Sequence, residues 1–588
     1  MILVITLTLY TGMGWVNWEN ATVKKVRLPK LTGRQVTGAL LLALLALGCL
    51  IYHHHGVSTD ETLEINMVMW HLDAIGSANP TEEISSDLEY YGLFFNLVSM
   101  GVFLLTQVIQ TGVQPVEQLI SQGLANGDIY VSKHLVTYVF SGLAYVGVAL
   151  FTKDLLRWSF APVAVVVLAL APRFWGHSFF NPKDIPFAAL FTVVSYVGAR
   201  FTAELADPQR DNARGGSVVF LRKSLVFGAL AGLLTCIRAG GFVVLGYGVF
   251  CQVILLAVGY GARTQETSST PSPIGLGRRC LLSYGVAIAA WATVTTLLSP
   301  VAWGNPMGWF VETIAYLSSH TWEGVTLTFG QKLPPQPPWF YLPVWFGITT
   351  PLITLLLASV GLGTQLRSWL RLTPLQQSLT IWLILQLWAL PVVGIVKRST
   401  IYNAERQFLF VLPAVAVFAV LGLAWFLNHI SHRFWRTSFI TLLVMAYGSV
   451  TIDLVRLHPY EYVYFNSIAR SERLATDFET DYWGVSVREA IEWVNGQVDE
   501  KTLVLFHAPS GSIRPFADET LVLDRGHKLK DVPYEEIQKP FYYVAYPRNK
   551  YGGLPHPQDR FPQCDRVFTV QRPLGSVNIP LTIVKKCQ

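Results

Sequence analysis

The chain has 588 residues, of which 52% are hydrophobic and only 14% charged, with a mean hydropathy of +0.39. That balance excludes an ordinary soluble domain and points to repeated membrane crossings. The net charge of +6 does not indicate a nucleic-acid partner, because the basic residues are scattered over short loops between apolar runs and form no single basic face.

Residues 1–16 are apolar but short, lack a small-residue cleavage site and precede the basic flank Lys24, Lys25, Arg27, Lys30 and Arg34, so they are not read as a cleaved signal peptide. Membrane spans are predicted near 37–52, 133–151, 160–175, 185–203, 224–237, 240–258, 281–299, 341–362, 377–396, 408–426 and 438–455, eleven in all. Alternate loops carry the basic residues: Lys153 and Arg157; Arg210, Arg214, Arg222 and Lys223; Arg263, Arg278 and Arg279; Arg367 and Arg371; Arg433 and Arg436. The positive-inside rule then keeps residues 1–36 in the cytoplasm, embeds 37–456 as a multi-pass domain of the inner (plasma) membrane, and delivers 457–588 to the external side.

Tyr90 to Gly112 is apolar enough for a further span. A crossing there would turn every later basic loop outward, so the segment is expected to be interfacial or re-entrant. The first external loop then runs over 53–132, with a helix Glu61–Gly76 ahead of the Asn79-Pro80 breaker. Beyond Leu457 the chain turns polar. Ser486 and Glu489 are spaced as a capping box opening a helix to about Val498, and strands are expected at Thr502–Phe506, Thr520–Leu523, Phe541–Ala545 and Val567–Val570. The fold class is therefore mostly α, polytopic, with external juxtamembrane helices and a small external α/β domain. Cys49, Cys236, Cys251 and Cys280 lie in or beside spans as packing residues, whereas Cys564 and Cys587 are a possible disulfide pair in the external domain.

The external helix ends collect the polar residues: Asp60-Glu61 after the first span, Arg173-Phe174-Trp175-Gly176-His177 and Asn181-Pro182-Lys183-Asp184 after the third, Arg238 after the fifth, Trp303-Gly304-Asn305 after the seventh, Asn403-Ala404-Glu405-Arg406 before the tenth, and His458 to Asn466 after the last. Carboxylates facing cations at a lipid boundary suit a reaction that needs a base for its nucleophile and charge stabilisation for a lipid-borne phosphate leaving group. With its Asp-Glu pair just outside the first helix, its long external loop and its Asn-Pro-Lys-Asp segment, the membrane portion, roughly 37–466, resembles the GT-C glycosyltransferases. The relatives it suggests are the protein O-mannosyltransferases and the lipid A aminoarabinose transferase, within the family-39-type group.

The resemblance implies an inverting transfer of a sugar from a polyprenyl-phosphate donor to a lipid, glycan or protein hydroxyl, with Asp60 as base, Glu61 as its helper and Asp184 orienting acceptor or sugar. Cations for the phosphate are nominated on chemistry alone: Lys183, Arg238 and Arg406, with His177 next. Tyr90, Asn181, Trp303, Asn305, His458 and Tyr462 are candidate acceptor or sugar contacts. Each has a plainer reading as a solvated helix-end acid, a snorkelling cation or a member of an interfacial aromatic belt. No cofactor is called for. His53-His54-His55 with His71 and Asp73 leaves a divalent metal open, but no ligand spacing defines a site. The competing reading is a transporter or flippase for a lipid-linked or anionic substrate, which would place charges near the membrane midplane. Ligation of a whole glycan from a lipid pyrophosphate is a further enzymatic alternative.

Overall fold

The computed structural model describes residues 31–76, 88–207, 216–263, 273–319, 322–525, 534, 537, 539–550 and 556–588. The Asn79-Pro80 breaker and residues 1–30 lie outside this set. The helices are α1 (Gly33–Ile51), α2 (Thr59–Gly76), α3 (Phe94–Thr111), α4 (Val116–Asn126), α5 (Asp128–Leu155), α6 (Ala161–Ala169), α7 (Pro172–Phe180), α8 (Asp184–Leu205), α9 (Gly216–Thr235), α10 (Val243–Arg263), α11 (Pro273–Leu297), α12 (Pro306–Ser319), α13 (Tyr341–Thr349), α14 (Leu352–Arg367), α15 (Pro374–Val396), α16 (Val411–His429), α17 (Arg433–Leu457) and α18 (Val487–Asn495).

Among the described residues, nine helices are long and apolar enough to cross a membrane, or up to eleven if each of two bent pairs counts as one span. The sequence anticipates both pairs as continuous spans; the structure breaks them. Helices α6 and α7 meet at 72° and α13 and α14 at 115°. Proline stands at each break, Pro172 opening α7 and Pro351 capping α14. Without an N–H, and with a ring that crowds the preceding turn, neither can continue the helix before it.

Helices α8 and α16 form the centre of the bundle, with 83% of the residues in each apolar window buried. An interior helix of this kind is apolar all round, as the run Val411 to Leu423 shows. Small residues let the backbones close up where α14 meets α16: a methyl group on Gly361 would fall 1.9 Å from the Phe418 carbonyl oxygen, and one on Gly422 2.0 Å from that of Leu357. Asp184 opens α8, and Arg406 lies just ahead of α16. The two central helices therefore start at one end of the bundle and carry opposite charges there.

Outside the bundle, α2 begins two residues earlier than anticipated and packs with α3 and α4 around Ile65, Val68, Met100, Phe103 and Ile120. The opposite face of α3 exposes Val98, Val102, Leu105 and Ile109, so this helix is apolar on both faces and is one of the nine counted above, although the sequence reading takes the segment as interfacial or re-entrant.

The C-terminal domain is a five-stranded mixed sheet in the order β4-β3-β5-β7-β6, from β3 (Thr502–His507), β4 (Leu521–Arg525), β5 (Phe541–Ala545), β6 (Asp565–Leu574) and β7 (Val577–Cys587). A small antiparallel hairpin, β1 (Thr326–Thr328) and β2 (Gln331–Leu333), precedes α13. Four strands match the sequence pattern; β7 does not, because Pro580 interrupts it and Lys585-Lys586 end it. Pro580 pairs with Gln571 next to a register shift, where the ladder tolerates a missing donor. Cys564 and Cys587 form a disulfide. The expected capping box is not made. The Ser486 hydroxyl donates to Asp481 at 2.5 Å, and Glu489 accepts from the Tyr460 hydroxyl and pairs with Arg572. Both side chains are drawn away from the α18 terminus by partners within 457–588.

Candidate active site

The start of α2 sorts its two acids. The Ser58 backbone N–H donates to the Glu61 carboxylate at 2.7 Å, half of a capping box. The other Glu61 oxygen lies 2.9 Å from His134 Nε2, and Glu61 is fully buried. Glu61 thus fixes the helix end, while Asp60 turns toward the bundle entrance with its side chain 21% exposed. Its recorded ion-pair partner is Arg406, at 3.5 Å. One turn on, where position i+4 shares the face, Glu64 pairs with Lys183 at 2.9 Å and accepts from the Asn96 amide. Lys183 Nζ also lies 3.9 Å above the Tyr91 ring. Burial works against the Lys183 ammonium, but Glu64 and Asp60 more than offset it and hold its pKa above the usual lysine range.

The Asn181-Pro182-Lys183-Asp184 segment is an Asx turn. Asn181 Oδ1 accepts from the backbone N–H of Asp184 at 2.8 Å and of Lys183 at 3.3 Å, and its amide donates to the Asp184 carboxylate at 3.0 Å. Asp184 is thereby aimed at two guanidiniums, Arg238 at 2.7 Å and Arg406 at 3.0 Å. Arg238 extends from the end of α9, is 24% exposed, and also donates to the Gln407 carbonyl. Arg406 is delivered by a turn in which Asn403 and Ala404 take φ of +59° and +60°. Alanine rarely adopts this left-handed conformation, and the Ala404 N–H is tied to the Tyr341 hydroxyl at 3.0 Å. The guanidinium lies 4.7 Å from the Trp483 ring and 5.1 Å from that of Tyr402. Burial opposes its charge, yet Asp60 and Asp184 hold its pKa above the ordinary arginine value.

Asp60, Asp184, Asn181, Lys183, Arg238, Arg406 and His177 therefore come together. His177 is fully buried, with Nε2 2.8 Å from the Tyr482 hydroxyl and Nδ1 3.3 Å from the Asn181 amide. These bonds make it a brace for the Asx turn. Tyr462 stands behind it, its hydroxyl donating to Asp481, which also accepts from the backbone N–H groups of 483–486. His458 is elsewhere, hydrogen-bonded to Glu461 and His54. Among the described residues no hydrogen bond or ion pair ties Tyr90, Trp303 or Asn305 to the cluster. Tyr90 stacks on Tyr316, Trp303 is 53% exposed, and Asn305 accepts from the Gly308 N–H to cap α12. Sequence reasoning missed Glu64, Tyr91 and Lys133. The four-residue spacing from Asp60 was a usable signal for Glu64, and Lys133, buried in the field of Glu64, Glu61 and Asp60, marks the edge of the second predicted span.

Beyond Tyr482 a polar cavity of about 480 Å³ separates the β1–β2 hairpin from the C-terminal domain, lined by Lys332, Glu479, Asn549 and Arg548 among others. One Glu479 oxygen and two Arg548 nitrogens are closed off from solvent without a hydrogen-bond partner. Desolvation pushes the Glu479 pKa up to about 7, with Arg548 acting in the opposite direction.

No protein-family model and no curated protein matches the sequence. Among solved structures, the chain is similar to the oligosaccharyltransferase of Archaeoglobus fulgidus in its apo form, with a TM-score of 0.47 and 11% identity over 82% of this chain. The chain spans 64% of the length of that protein, less than two thirds. It is also similar to ArnT from Cupriavidus metallidurans in the apo state, with a TM-score of 0.44 and 14% identity, covering 94% of this chain and 97% of the other. For the same ArnT bound to undecaprenyl phosphate the TM-score is 0.42 at 14% identity, with 93% and 97% covered.

Proposed function

We propose that this chain is an integral-membrane, inverting glycosyltransferase that moves a hexosyl or pentosyl group from a polyprenyl-phosphate donor to a hydroxyl of a lipid, glycan or protein at the external face. The observation that carries the reading is the charge pattern at the head of α8 and α16. Lys133, Lys183, Arg238 and Arg406 stand against Asp60, Glu61, Glu64 and Asp184, and of these cations Arg238, with its side chain 24% exposed, is within reach of an anionic leaving group. Asp60 alone of the four carboxylates keeps substantial exposure and only a long ion pair.

In this mechanism Asp60 accepts the proton of the acceptor hydroxyl as its oxygen attacks the anomeric carbon from the side opposite the phosphate. The bond from that carbon to the phosphate oxygen breaks, and the phosphate leaves with the electron pair. Arg238, the most exposed of the cations, meets the phosphate, with Arg406 and Lys183 adding to the field. Asp184 is a positioning residue that holds both guanidiniums, and Glu61 positions Asp60 by fixing the helix end. The cavity lined by Glu479, Arg548 and Asn549 sets polar side chains around a space that suits the hydroxyls of a sugar or acceptor. The distribution of basic residues over alternate loops supports a topology with this site outside the membrane and the amino terminus inside.

A flippase would place its charges along a path across the membrane, whereas here they gather at one end of the bundle. Mass spectrometry of acceptor glycans and lipid-linked sugars, in cells with and without the protein, tests the reaction class. A missing sugar together with its accumulated lipid donor supports transfer. Unchanged acceptors and donors overturn it.

A further inference from the structure

The histidine run after α1 finds partners that the sequence does not bring near it. His55, His458 and Glu461 each present a ligand atom within 4.8 Å of the others, and among the described residues they are the one such group of three. His458 Nδ1 lies 2.7 Å from one Glu461 oxygen, and His55 Nε2 lies 3.7 Å from the other, beyond hydrogen-bond reach. His55 is 1% exposed and neither of its ring nitrogens has a hydrogen-bond partner; the Glu461 oxygen facing it has none either. An imidazole and a carboxylate oxygen shut away without partners are costly, and a cation between them would satisfy both.

We infer that His55, His458 and Glu461 bind a divalent transition-metal ion, with zinc the best match to two imidazoles and one carboxylate. Ligand atoms about 2.0–2.2 Å from a tetrahedral zinc stand roughly 3.4 Å apart, and one ligand atom from each of the three residues already lies within 4.8 Å of the others, so side-chain rotation within the cluster would bring them to that spacing. The surroundings already hold the ligands. The His55 ring stacks on Phe179 at 4.2 Å, its carbonyl accepts from Arg488, and His458 Nε2 lies 2.7 Å from His54 Nδ1, an arrangement that fixes the His458 tautomer and leaves Nδ1 for the metal. A groove of about 350 Å³ between α1, α6, α7 and α17 reaches His458 and Glu461 and leaves room for a water or an anionic ligand in the fourth position. The ion ties the exit of α1, five residues before Asp60, to the segment that follows α17. This cluster lies behind Phe179 and Phe180, apart from the carboxylates and guanidiniums of the candidate active site.

The test uses full-length protein in detergent, purified without a histidine tag, stripped with chelator and dialysed against limiting zinc. Elemental analysis should find one zinc per chain, and cobalt should give the visible absorption of a four-coordinate nitrogen and oxygen site. His458→Ala and Glu461→Gln should each abolish both signals. His54→Ala should keep one zinc at saturation but weaken affinity about 10–100-fold, and His71→Ala, a residue bonded to the Met67 carbonyl, should change nothing. Should His458→Ala fail to fold, the cobalt spectrum of the parent and the affinity of His54→Ala decide the matter. No zinc in the parent, or full zinc retention in His458→Ala and Glu461→Gln, overturns the assignment. Neither readout depends on glycosyl transfer, so it stands or falls separately from the proposed reaction.

Discussion

Replacing Asp60 by asparagine separates catalysis from folding. The substitution keeps side-chain volume and removes only the proton acceptor. Asp60 is 21% exposed and its pair with Arg406 is long, at 3.5 Å, while Arg406 keeps Asp184 at 3.0 Å. Arg406 is buried but keeps Asp184 as a partner, so loss of this pair is expected to cost about 1–2 kcal/mol of stability, a shift of the thermal midpoint of only a few degrees. A base in general acid–base catalysis contributes about 10²–10⁴-fold, equivalent to roughly 3–5 kcal/mol of barrier. Removing a negative charge near the phosphate should leave donor affinity unchanged or raise it. The assay is single-turnover transfer from a labelled polyprenyl-phosphate sugar in reconstituted protein, with donor affinity and melting measured in parallel. Turnover within about tenfold of the parent would move the base elsewhere, and a collapsed melting curve would make Asp60 structural.

Arg238→Ala, which removes a charged contact from the exposed rim, should weaken donor binding roughly 10–100-fold, with Arg238→Lys restoring part of it; an unchanged affinity by titration would place the phosphate on other groups. Asp184→Ala strands a buried guanidinium, Arg406 being 3% exposed. It should cost about 3 kcal/mol, the low end of the range for a broken buried pair because Asp60 stays as partner, as read from denaturant midpoints. Glu479 titrates near pH 7 in the folded chain against an ordinary value of 4.5, so its stabilising share is present below the ordinary value and lost as pH rises through about 7. The parent should therefore show a downward slope of melting temperature over that window that Glu479→Gln lacks; parallel slopes would refute it. Cysteine labelling from outside should reach positions 305 and 499 but not 214 or 278, and external labelling at 214 would mean that Phe94–Thr111 crosses the bilayer.

Much of the site was legible because helix ends at a membrane surface are few and charge marks them. Asp60, Lys183, Asp184, Arg238 and Arg406 each stand at the edge of an apolar run, and one topology puts those edges on one side. What could not be read is pairing. Nothing in the one-dimensional pattern distinguishes Asp60 from Glu61; the Ser58 N–H and His134 do, and they turn Glu61 inward. His458 looked like a rim residue beside Tyr462, yet its partner is His54, 404 positions away. Long-range contacts of this kind depend on how helices pack, and local periodicity carries no record of it. The capping box at Ser486 is unmade for a local reason and a distant one: Asp481, five residues back, takes the hydroxyl, and Arg572, 83 positions on, pairs with Glu489.

The C-terminal domain belongs to the site in a physical sense. Trp483 covers the Arg406 guanidinium, Tyr482 receives hydrogen bonds from Arg173 and His177, and the Arg548 guanidinium donates to the Tyr482 carbonyl at 3.0 Å. These contacts, with a hydrophobic core that runs on from the bundle into the C-terminal domain, bind the two parts to each other. A methyl group on Gly176 would fall 2.5 Å from the Tyr462 backbone nitrogen, so α7 and the segment after α17 touch without room for a side chain. Arg238, Arg406 and Lys183 are anchored at the end of the helical bundle, and the cavity at Glu479 lies between the β1–β2 hairpin and the C-terminal domain. Tyr482 lines that cavity and also meets Arg173 and His177, so this one side chain joins the cavity to the residues that brace the charged cluster.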